Sequence, residues 1–130
     1  MRKFMCFGIL PPMIFFPQII KAASMVVLPT WTEGHPRVSL EAMALERPFV
    51  ATPVGGILDM VLPGVTGMLF EVEDPAGMAE QVCRLAADPQ LAERIACDAS
   101  RYVEQNFTPD QQIERLLGIL AKITSGDSAN

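Results

Sequence analysis

The chain has 130 residues, half of them hydrophobic, and a formal net charge of −5. This length predicts one small domain, and the hydrophobic content indicates a globular rather than a disordered chain. The charge is uneven, because residues 1–56 carry five basic and three acidic side chains while the remainder is strongly acidic. The sequence contains no stripe of basic residues that could follow a phosphate backbone, so the charge pattern argues against nucleic-acid binding.

The N-terminus resembles a signal peptide, with a basic start and an apolar run over residues 4–20. Pro11, Pro12 and Pro17 interrupt the run, and a helical leader would not tolerate them well. The run is also too short and too broken to span a bilayer. Secretion therefore stays the minor alternative.

Three cysteines and one histidine bear on redox state and on metal binding. Cys6, Cys83 and Cys97 form no CxxC pair, and the last two lie in predicted helices, where we expect buried free thiols. Such thiols fit a reducing compartment best. His35 has no second histidine and no cysteine at ligand spacing, so the sequence predicts no zinc site.

The predicted elements alternate between helices and strands. Residues 19–24 indicate the end of a short helix, and residues 38–45 have helical spacing. A further short helix runs through Met60 and Val61. Three short apolar runs are typical of buried parallel strands; they are 25–28, 49–52 and 68–70.

The rest of the chain is predicted to be helical. Asp74 and Asp88 each precede a proline and are typical N-caps, and residues 108–111 resemble a capping box. The helix after Pro89 carries one apolar stripe: Leu91, Ile95, Ala99 and Val103. In the last helix we expect four apolar side chains to face inward: Ile113, Leu116, Leu117 and Leu120.

This order of elements predicts an α/β fold, a Rossmann-like parallel sheet flanked by helices and built with right-handed crossovers. Ligands bind such sheets beyond the carboxyl ends of the strands. The loops at 30–36 and 53–56 both follow predicted strands. We therefore expect the functional site where these two loops meet.

Two glutamates mark this place, Glu33 in the first loop and Glu41 about one turn into the following helix. Carboxylates accept hydrogen bonds from paired hydroxyls, which suits a hexose at the first position and a ribose at the second. Gly34 lets the backbone approach a ligand closely. Gly55-Gly56 offers a second close-approach loop on the facing strand end.

The start of the helix that carries Glu41 suits an anion. Free amide groups near Arg37, Val38 and Ser39, together with the helix dipole, favour a group such as a pyrophosphate. Pro36 stiffens the entry to the helix, and Arg37 adds a fixed positive charge. Together these features describe a site for a sugar diphosphate nucleotide.

Ordinary explanations stay open at several positions. Glu41 suits a solvated acid on an exposed helix face, and Gly55-Gly56 suits any tight turn. Trp31 fits a packed loop anchor better than a stacking platform for a base. His35 is equally compatible with side-chain chemistry and with backbone contact alone.

The combination of motifs is more specific than any one residue. The segment from Ala22 to Gly56, with Leu28-Pro-Thr-Trp-Thr-Glu-Gly-His-Pro-Arg-Val-Ser-Leu-Glu-Ala-Met-Ala-Leu-Glu46 at its centre, closely resembles the donor-binding domain of family 4, or group 1, glycosyltransferases. Those enzymes have the GT-B fold. The likeness continues through Pro63-Gly-Val-Thr-Gly-Met-Leu-Phe70, the Asp74-Pro75 helix and Asn106-Phe-Thr108, and covers about residues 19–122.

The resemblance implies particular roles. The Glu-x7-Glu signature falls on Glu33, as the catalytic-site acid that contacts the donor sugar hydroxyls, and on Glu41, which holds the ribose. Members transfer a sugar from a nucleoside diphosphate sugar with retention of configuration. They use no metal bound by an Asp-x-Asp motif, so we expect no metal and no other cofactor. The implied donor-binding residues are Glu33, Gly34, His35, Pro36, Arg37, Val38, Glu41, Gly55 and Gly56.

The chain also departs from the family. A full enzyme has an N-terminal Rossmann lobe for the acceptor, and its donor domain begins with a strand and a helix whose Arg and Lys neutralise the diphosphate. Arg2, Lys3 and Lys21 do not match that pair in position, and Asp59 stands where the family commonly has Glu. We therefore expect an N-terminally truncated domain. It divides into an atypical apolar segment at 1–18, a partial nucleotide-sugar-binding glycosyltransferase domain at 19–124 and a polar tail at 125–130.

The expected function is thus that of a retaining glycosyltransferase, with this chain supplying the donor-binding part. A sugar, lipid or polymer acceptor would reach it through the missing N-terminal lobe, and the isolated chain should turn over little. The alternative is a catalytically inactive, truncated nucleotide-sugar-binding module or a remnant. We expect the full enzyme in the cytoplasm or at the inner membrane surface.

Overall fold

The computed structural model describes residues 16–124, with side chains from Pro17 to Ile123. Within this range the elements in chain order are α1 (Phe16–Ala22), β1 (Val26–Leu28), α2 (Arg37–Ala44), β2 (Phe49–Ala51), α3 (Ile57–Met60), β3 (Met68–Leu69), α4 (Pro75–Ala87), α5 (Pro89–Asn106) and α6 (Pro109–Thr124). The predicted strands and helices are confirmed in their predicted order. The division at residues 1–18 and the tail at 125–130 lie largely outside the described residues and stay predictions.

The three strands form one parallel sheet in the order β1-β2-β3. Val26 pairs with Phe49, and Val50 pairs with Met68. The central strand β2 is buried along its whole length, which explains why its sequence is continuously apolar rather than alternating. Because the strands are parallel, the loops that follow β1 and β2 leave the sheet at the same edge.

One apolar cluster lies on each face of the sheet. On one face α2 and α3 bury Met43, Ile57 and Met60 completely. On the other face Leu85 of α4 packs with Val50 of β2. The predicted α/β fold is therefore confirmed.

Helix α5 connects the two clusters, because different parts of its apolar stripe pack into each of them. Ile95 belongs to the α4 side, and Ala99, one turn later, belongs to the α2 side. Leu91 and Val103 extend the stripe at its two ends and pack against the respective clusters. The predicted stripe is thus confirmed.

The predicted caps are also confirmed. The carboxylate of Asp74 accepts from the Gly77 amide at 2.8 Å, and that of Asp88 accepts from the Leu91 amide at 3.0 Å. Thr108 and Gln111 exchange hydrogen bonds as a capping box, at 3.1 and 3.4 Å. No helix within residues 16–124 combines the length and the apolarity needed to cross a bilayer.

Two expectations about burial are wrong. Cys83 is exposed on α4, and Cys97 is only partly buried. In α6 the side chains expected to face inward are about half exposed: Ile113, Leu116, Leu117 and Leu120. Helical spacing identifies the apolar side of a helix but carries no information on what packs against that side.

Replacing Asp88 with alanine should lower the free energy of unfolding by about 1 kcal/mol, because the first turn of α5 loses its side-chain acceptor. Glu104→Ala is the matched control, since it removes a carboxylate from an exposed position on the same helix. Its effect should stay within about 0.5 kcal/mol. Urea unfolding of both variants measures the difference, and equal midpoints would contradict the assigned cap.

Candidate functional site

The residues that follow β1 and β2 are joined through two threonine positions. The hydroxyl of Thr52 donates to the carbonyl of Thr30 at 2.6 Å and accepts from the amide of Thr30 at 3.2 Å. Thr52 is almost completely buried, with 2% of its surface exposed. One side chain thus satisfies both backbone groups of Thr30, which places the start of the first loop relative to β2.

The same loop rests on the glycine pair that follows β2. A Cβ added at Gly55 would lie under 3.0 Å from the carbonyl of Glu33, and one added at Gly56 would come as close to the carbonyl oxygen of Gly34. The amide of Gly56 donates to that Gly34 oxygen at 2.8 Å. Gly55 also has a φ of +50°, in the left-handed region. The backbones touch directly, so side chains are excluded at both glycines.

Open space lies on the other side of the loop, at Gly34. A Cβ added there would meet nothing within 4 Å, and the backbone of Gly34 is not in the left-handed region. Neither packing nor backbone strain therefore requires glycine at this position. The lack of a side chain leaves the backbone accessible from solvent.

Helix α2 begins directly after this loop. Pro36 is its N-cap residue, is buried, and provides no side-chain hydrogen bond. The amide of Ser39 bonds to the carbonyl of Pro36 at 3.1 Å. The amides of Arg37 and Val38 belong to the first turn, where no carbonyl of the helix can accept their hydrogen bonds. This end of α2 therefore presents free backbone donors. A group with negative charge is favoured there.

The charged groups of α2 lie next to each other. Arg37 Nε is 4.0 Å from Glu41 Oε1, and 78% of the arginine side chain is exposed. Such a surface pair contributes little to stability, so each partner remains available to a ligand. Within residues 16–124 no group of three His, Cys, Asp or Glu side chains is arranged to hold a metal ion; the absence of a metal requirement stays a prediction.

The structure brings most of the predicted site residues together. Glu33, Gly34 and His35 form one side of the edge, against Gly55-Gly56, and the ring of His35 borders Gly56. The start of α2 follows at once, and Glu41 lies on the same helix about one turn further.

Two predicted residues can contribute only through their backbone or through packing. Pro36 is buried, and Val38 packs against the core cluster on the α2 side of the sheet. The predicted roles of all nine residues toward a donor stay predictions at this point.

The sequence reasoning missed the Thr30–Thr52 pair. A possible signal was present, because a threonine stands one or two residues beyond the end of each of these strands. The preference for a packed Trp31 is wrong, since 72% of this residue is exposed. The loop places the indole outside the core, where it lines a cavity at the same edge of the sheet.

Similarity to known proteins identifies the family of the chain. The family model described as "Glycosyl transferases group 1" matches residues 9–88. The chain belongs to the group 1 glycosyltransferases. A D-inositol 3-phosphate glycosyltransferase from Salinispora arenicola is 36% identical over 103 residues, which cover 79% of this chain and 23% of the relative. A capsular polysaccharide biosynthesis glycosyltransferase, CapM, from Staphylococcus aureus is 35% identical over 103 residues, which cover 77% of this chain and 27% of the relative.

The solved structures of similar proteins show the same fold. Anabaena HepE in complex with UDP has a TM-score of 0.77 and 28% identity, over 82% of this chain and 30% of HepE. The C-terminal domain of a group 1 family protein, LpcC, from Francisella tularensis has a TM-score of 0.72 over 79% of this chain and 53% of that domain. The sheet and its helices are thus those of a GT-B glycosyltransferase domain. The chain spans about a quarter of the length of the curated relatives described above.

Gly55→Ala and Gly64→Ala separate direct contact from backbone strain. Both glycines are left-handed, with φ of +50° and +74°, but only Gly55 touches the Glu33 carbonyl; nothing lies within 4 Å of a Cβ at Gly64. Alanine at Gly64 should lower the free energy of unfolding by about 1–2 kcal/mol. Alanine at Gly55 should cost about 3 kcal/mol or more.

Urea unfolding measures both effects, and amide chemical shifts locate them. The signals of Glu33 and Gly34 should move in Gly55→Ala only. Equal destabilisation with unmoved signals would show that the two loops are not in contact.

Proposed function

We propose that this chain forms part of the donor-binding domain of a retaining glycosyltransferase. The complete enzyme would transfer a sugar from a nucleoside diphosphate sugar to a sugar, lipid or polymer acceptor. The observation that carries the proposal is the backbone contact of Gly55-Gly56 with the Glu33–Gly34 loop, directly before the uncapped start of α2. An acidic residue, an open glycine and free helix amides thus follow one another along the backbone, which supports the proposal.

Each group has a distinct task in the proposal. The carboxylate of Glu33 accepts hydrogen bonds from the hydroxyls of the donor sugar, and that of Glu41 accepts them from the ribose. The diphosphate lies between the two carboxylates, against the open backbone of Gly34 and the amides of Arg37 and Val38. HepE has this fold and is 28% identical over an aligned region that covers 82% of this chain and 29% of HepE, and it has been solved in complex with UDP-glucose. That complex supports a uridine nucleotide as the first donor to examine.

The reaction itself explains why helix amides suit this place. Transfer breaks the bond between the anomeric carbon and a diphosphate oxygen, and negative charge grows on that oxygen in the transition state. Donors that are already oriented stabilise this charge without reorganisation. The exposed guanidinium of Arg37 and the free amides at the start of α2 would both contribute positive potential to this part of the site.

Transfer also requires an acceptor held beside the donor. The curated relatives are about four times longer than the aligned region, and we propose that their additional length supplies this function. The 130-residue chain alone should then bind donor and turn over little. A non-catalytic nucleotide-sugar-binding module is the alternative, and an assay of transfer by the chain joined to an acceptor lobe separates the two. Cytoplasmic location and contact with a membrane surface stay predictions.

Glutamine at Glu33 and at Glu41 should affect different parts of the donor. Glu33→Gln should weaken UDP-glucose about ten-fold and leave UDP unchanged, because only the sugar contacts Glu33. Glu41→Gln should weaken both ligands by a similar factor. Calorimetry with UDP and UDP-glucose, and in parallel with GDP-mannose and ADP-glucose, provides the measurement.

Glu80→Gln is the control for this experiment, since Glu80 is exposed on α4 and outside the proposed site. Its affinity should equal that of the unaltered chain. Equal loss of UDP and UDP-glucose in Glu33→Gln would refute the assignment of that acid to the sugar. If none of the nucleotide sugars bound the unaltered chain, donor binding by these residues would be refuted.

Gly34→Ala tests the close approach of the ligand to the backbone. The fold should be unaffected because a Cβ at Gly34 meets nothing within 4 Å. The added methyl group should still lower donor affinity, by about ten-fold, through steric exclusion of the diphosphate. Gly118→Ala is the matched control, with equally open space in α6. Thermal unfolding and calorimetry together measure both effects, and undiminished donor affinity in Gly34→Ala would place the ligand elsewhere.

A further inference from the structure

A second feature occupies the carboxyl edge of the sheet, on the side of α4 rather than of α2. It is a cavity of about 240 Å³, which we name the Trp31 cavity. Phe70, which is 7% exposed, and Met78 of α4 line its inner part, and the exposed indole of Trp31 stands at its mouth. Its volume is below the roughly 300–1,000 Å³ of pockets for drug-sized ligands. One ring therefore fits, and a whole nucleotide sugar does not.

The lining of the cavity is apolar, with acidic groups at one side. Glu73 and Asp74 both line it. Asp74 is committed to α4, because its carboxylate caps the Gly77 amide. Glu73 is exposed, and none of the described residues forms an ion pair with it. The lining thus includes one exposed indole and one carboxylate that forms no ion pair with the described residues.

This combination selects for a neutral sugar ring. The face of an indole carries negative potential, which attracts the C–H groups on the apolar face of a pyranose. A carboxylate accepts hydrogen bonds from the hydroxyls at the ring edge. A nucleotide is disfavoured, because the charged residues that line the cavity are acidic and repel phosphate.

The cavity is lined by residues that follow β1 and β2, the same strands whose loops carry the proposed donor site, although none of the nine donor-binding residues lines it. Thr30 and Thr52, which hydrogen-bond to each other, both line it. Trp31 precedes Glu33 by two residues, a distance of at most about 7 Å along the chain. A ring bound against Trp31 would therefore lie near the loop that carries the carboxylate proposed to hold the donor sugar.

We propose that the Trp31 cavity binds a neutral pyranose ring of the acceptor, stacked on Trp31 and hydrogen-bonded to Glu73. The acceptor role rests on the proposed function, whereas binding of a sugar ring to the cavity does not. The donor domain would thus contribute directly to the choice of acceptor.

The chain contains a single tryptophan, so its fluorescence reports on the surroundings of Trp31. The full 130-residue chain is titrated with methyl α-D-glucopyranoside, methyl α-D-mannopyranoside and uridine monophosphate. We expect a saturable change with at least one glycoside, and the same change when uridine monophosphate is already present at saturation. A response to the nucleotide but to neither glycoside, or no response to any of the three, would overturn the proposal.

Variants locate the binding. Glu73→Gln should weaken the glycoside about ten-fold, while Glu71→Gln, exposed in the same loop but not lining the cavity, should leave it unchanged. Trp31→Ala, followed by saturation-transfer NMR of the glycoside, should abolish binding with little change in thermal stability, because the indole is exposed. Equal affinity in all variants would overturn the assignment.

Glu33→Gln separates this inference from the proposed function. Its glycoside response should match that of the unaltered chain, while its affinity for UDP-glucose falls. If UDP-glucose binds the unaltered chain and the glycosides do not, only the Trp31 cavity is refuted. If the glycosides bind and no nucleotide sugar does, the cavity is supported as a sugar site and the proposed function fails.

Discussion

The candidate site depends on how closely two backbone segments approach each other at the carboxyl edge of the sheet. Any side chain at Gly55 or Gly56 would overlap the carbonyl groups of Glu33 and Gly34. The single hydrogen bond from Gly56 to Gly34 then fixes their relative position. Glu33 is therefore positioned by its own backbone and by its neighbours. The backbone position of Glu33 thus does not depend on packing of its own side chain.

The hydroxyl of Thr52 provides a second constraint on the same loop. This buried hydroxyl bonds both the amide and the carbonyl of Thr30 at the start of the loop. The glycine pair contacts the loop at Glu33 and Gly34. The loop thus has two fixed points with Trp31 and Thr32 between them. Because the backbone of the loop is fixed at two points, the residues between them have a defined backbone position. The indole of Trp31 can therefore be exposed and still line a cavity. Rigid support of this kind reduces the ordering cost of ligand binding.

The sequence predicted most of the architecture, because its local signals have local physical causes. Continuous apolar runs gave the strands, and the aspartates before proline gave the starts of α4 and α5. Burial was less predictable, since it depends on what packs against a residue. Cys83 and Trp31 are exposed although their types are usually buried, and their immediate neighbours give no indication of this.

The site was predictable to a similar extent. The Gly-Gly motif and the Glu-x7-Glu spacing indicated which residues to consider, and the strand order indicated the edge at which they meet. The direct contact of Gly55 with Glu33 could not be read from spacing, because it joins positions 22 residues apart through the register of two strands. The Trp31 cavity could not be read from spacing either, since Phe70 reaches it from the residue after β3 and Met78 reaches it from α4.

The exposed apolar side of α6 has a thermodynamic consequence for the domain. The heat-capacity change of unfolding and the slope of denaturant unfolding both scale with the surface that folding buries. Within residues 16–124, the sixteen residues of α6 add length but little buried area, and the packed core extends in sequence only to about Phe107. For this part of the chain, the heat-capacity change and the denaturant slope should therefore be close to those of a domain that ends where α5 ends.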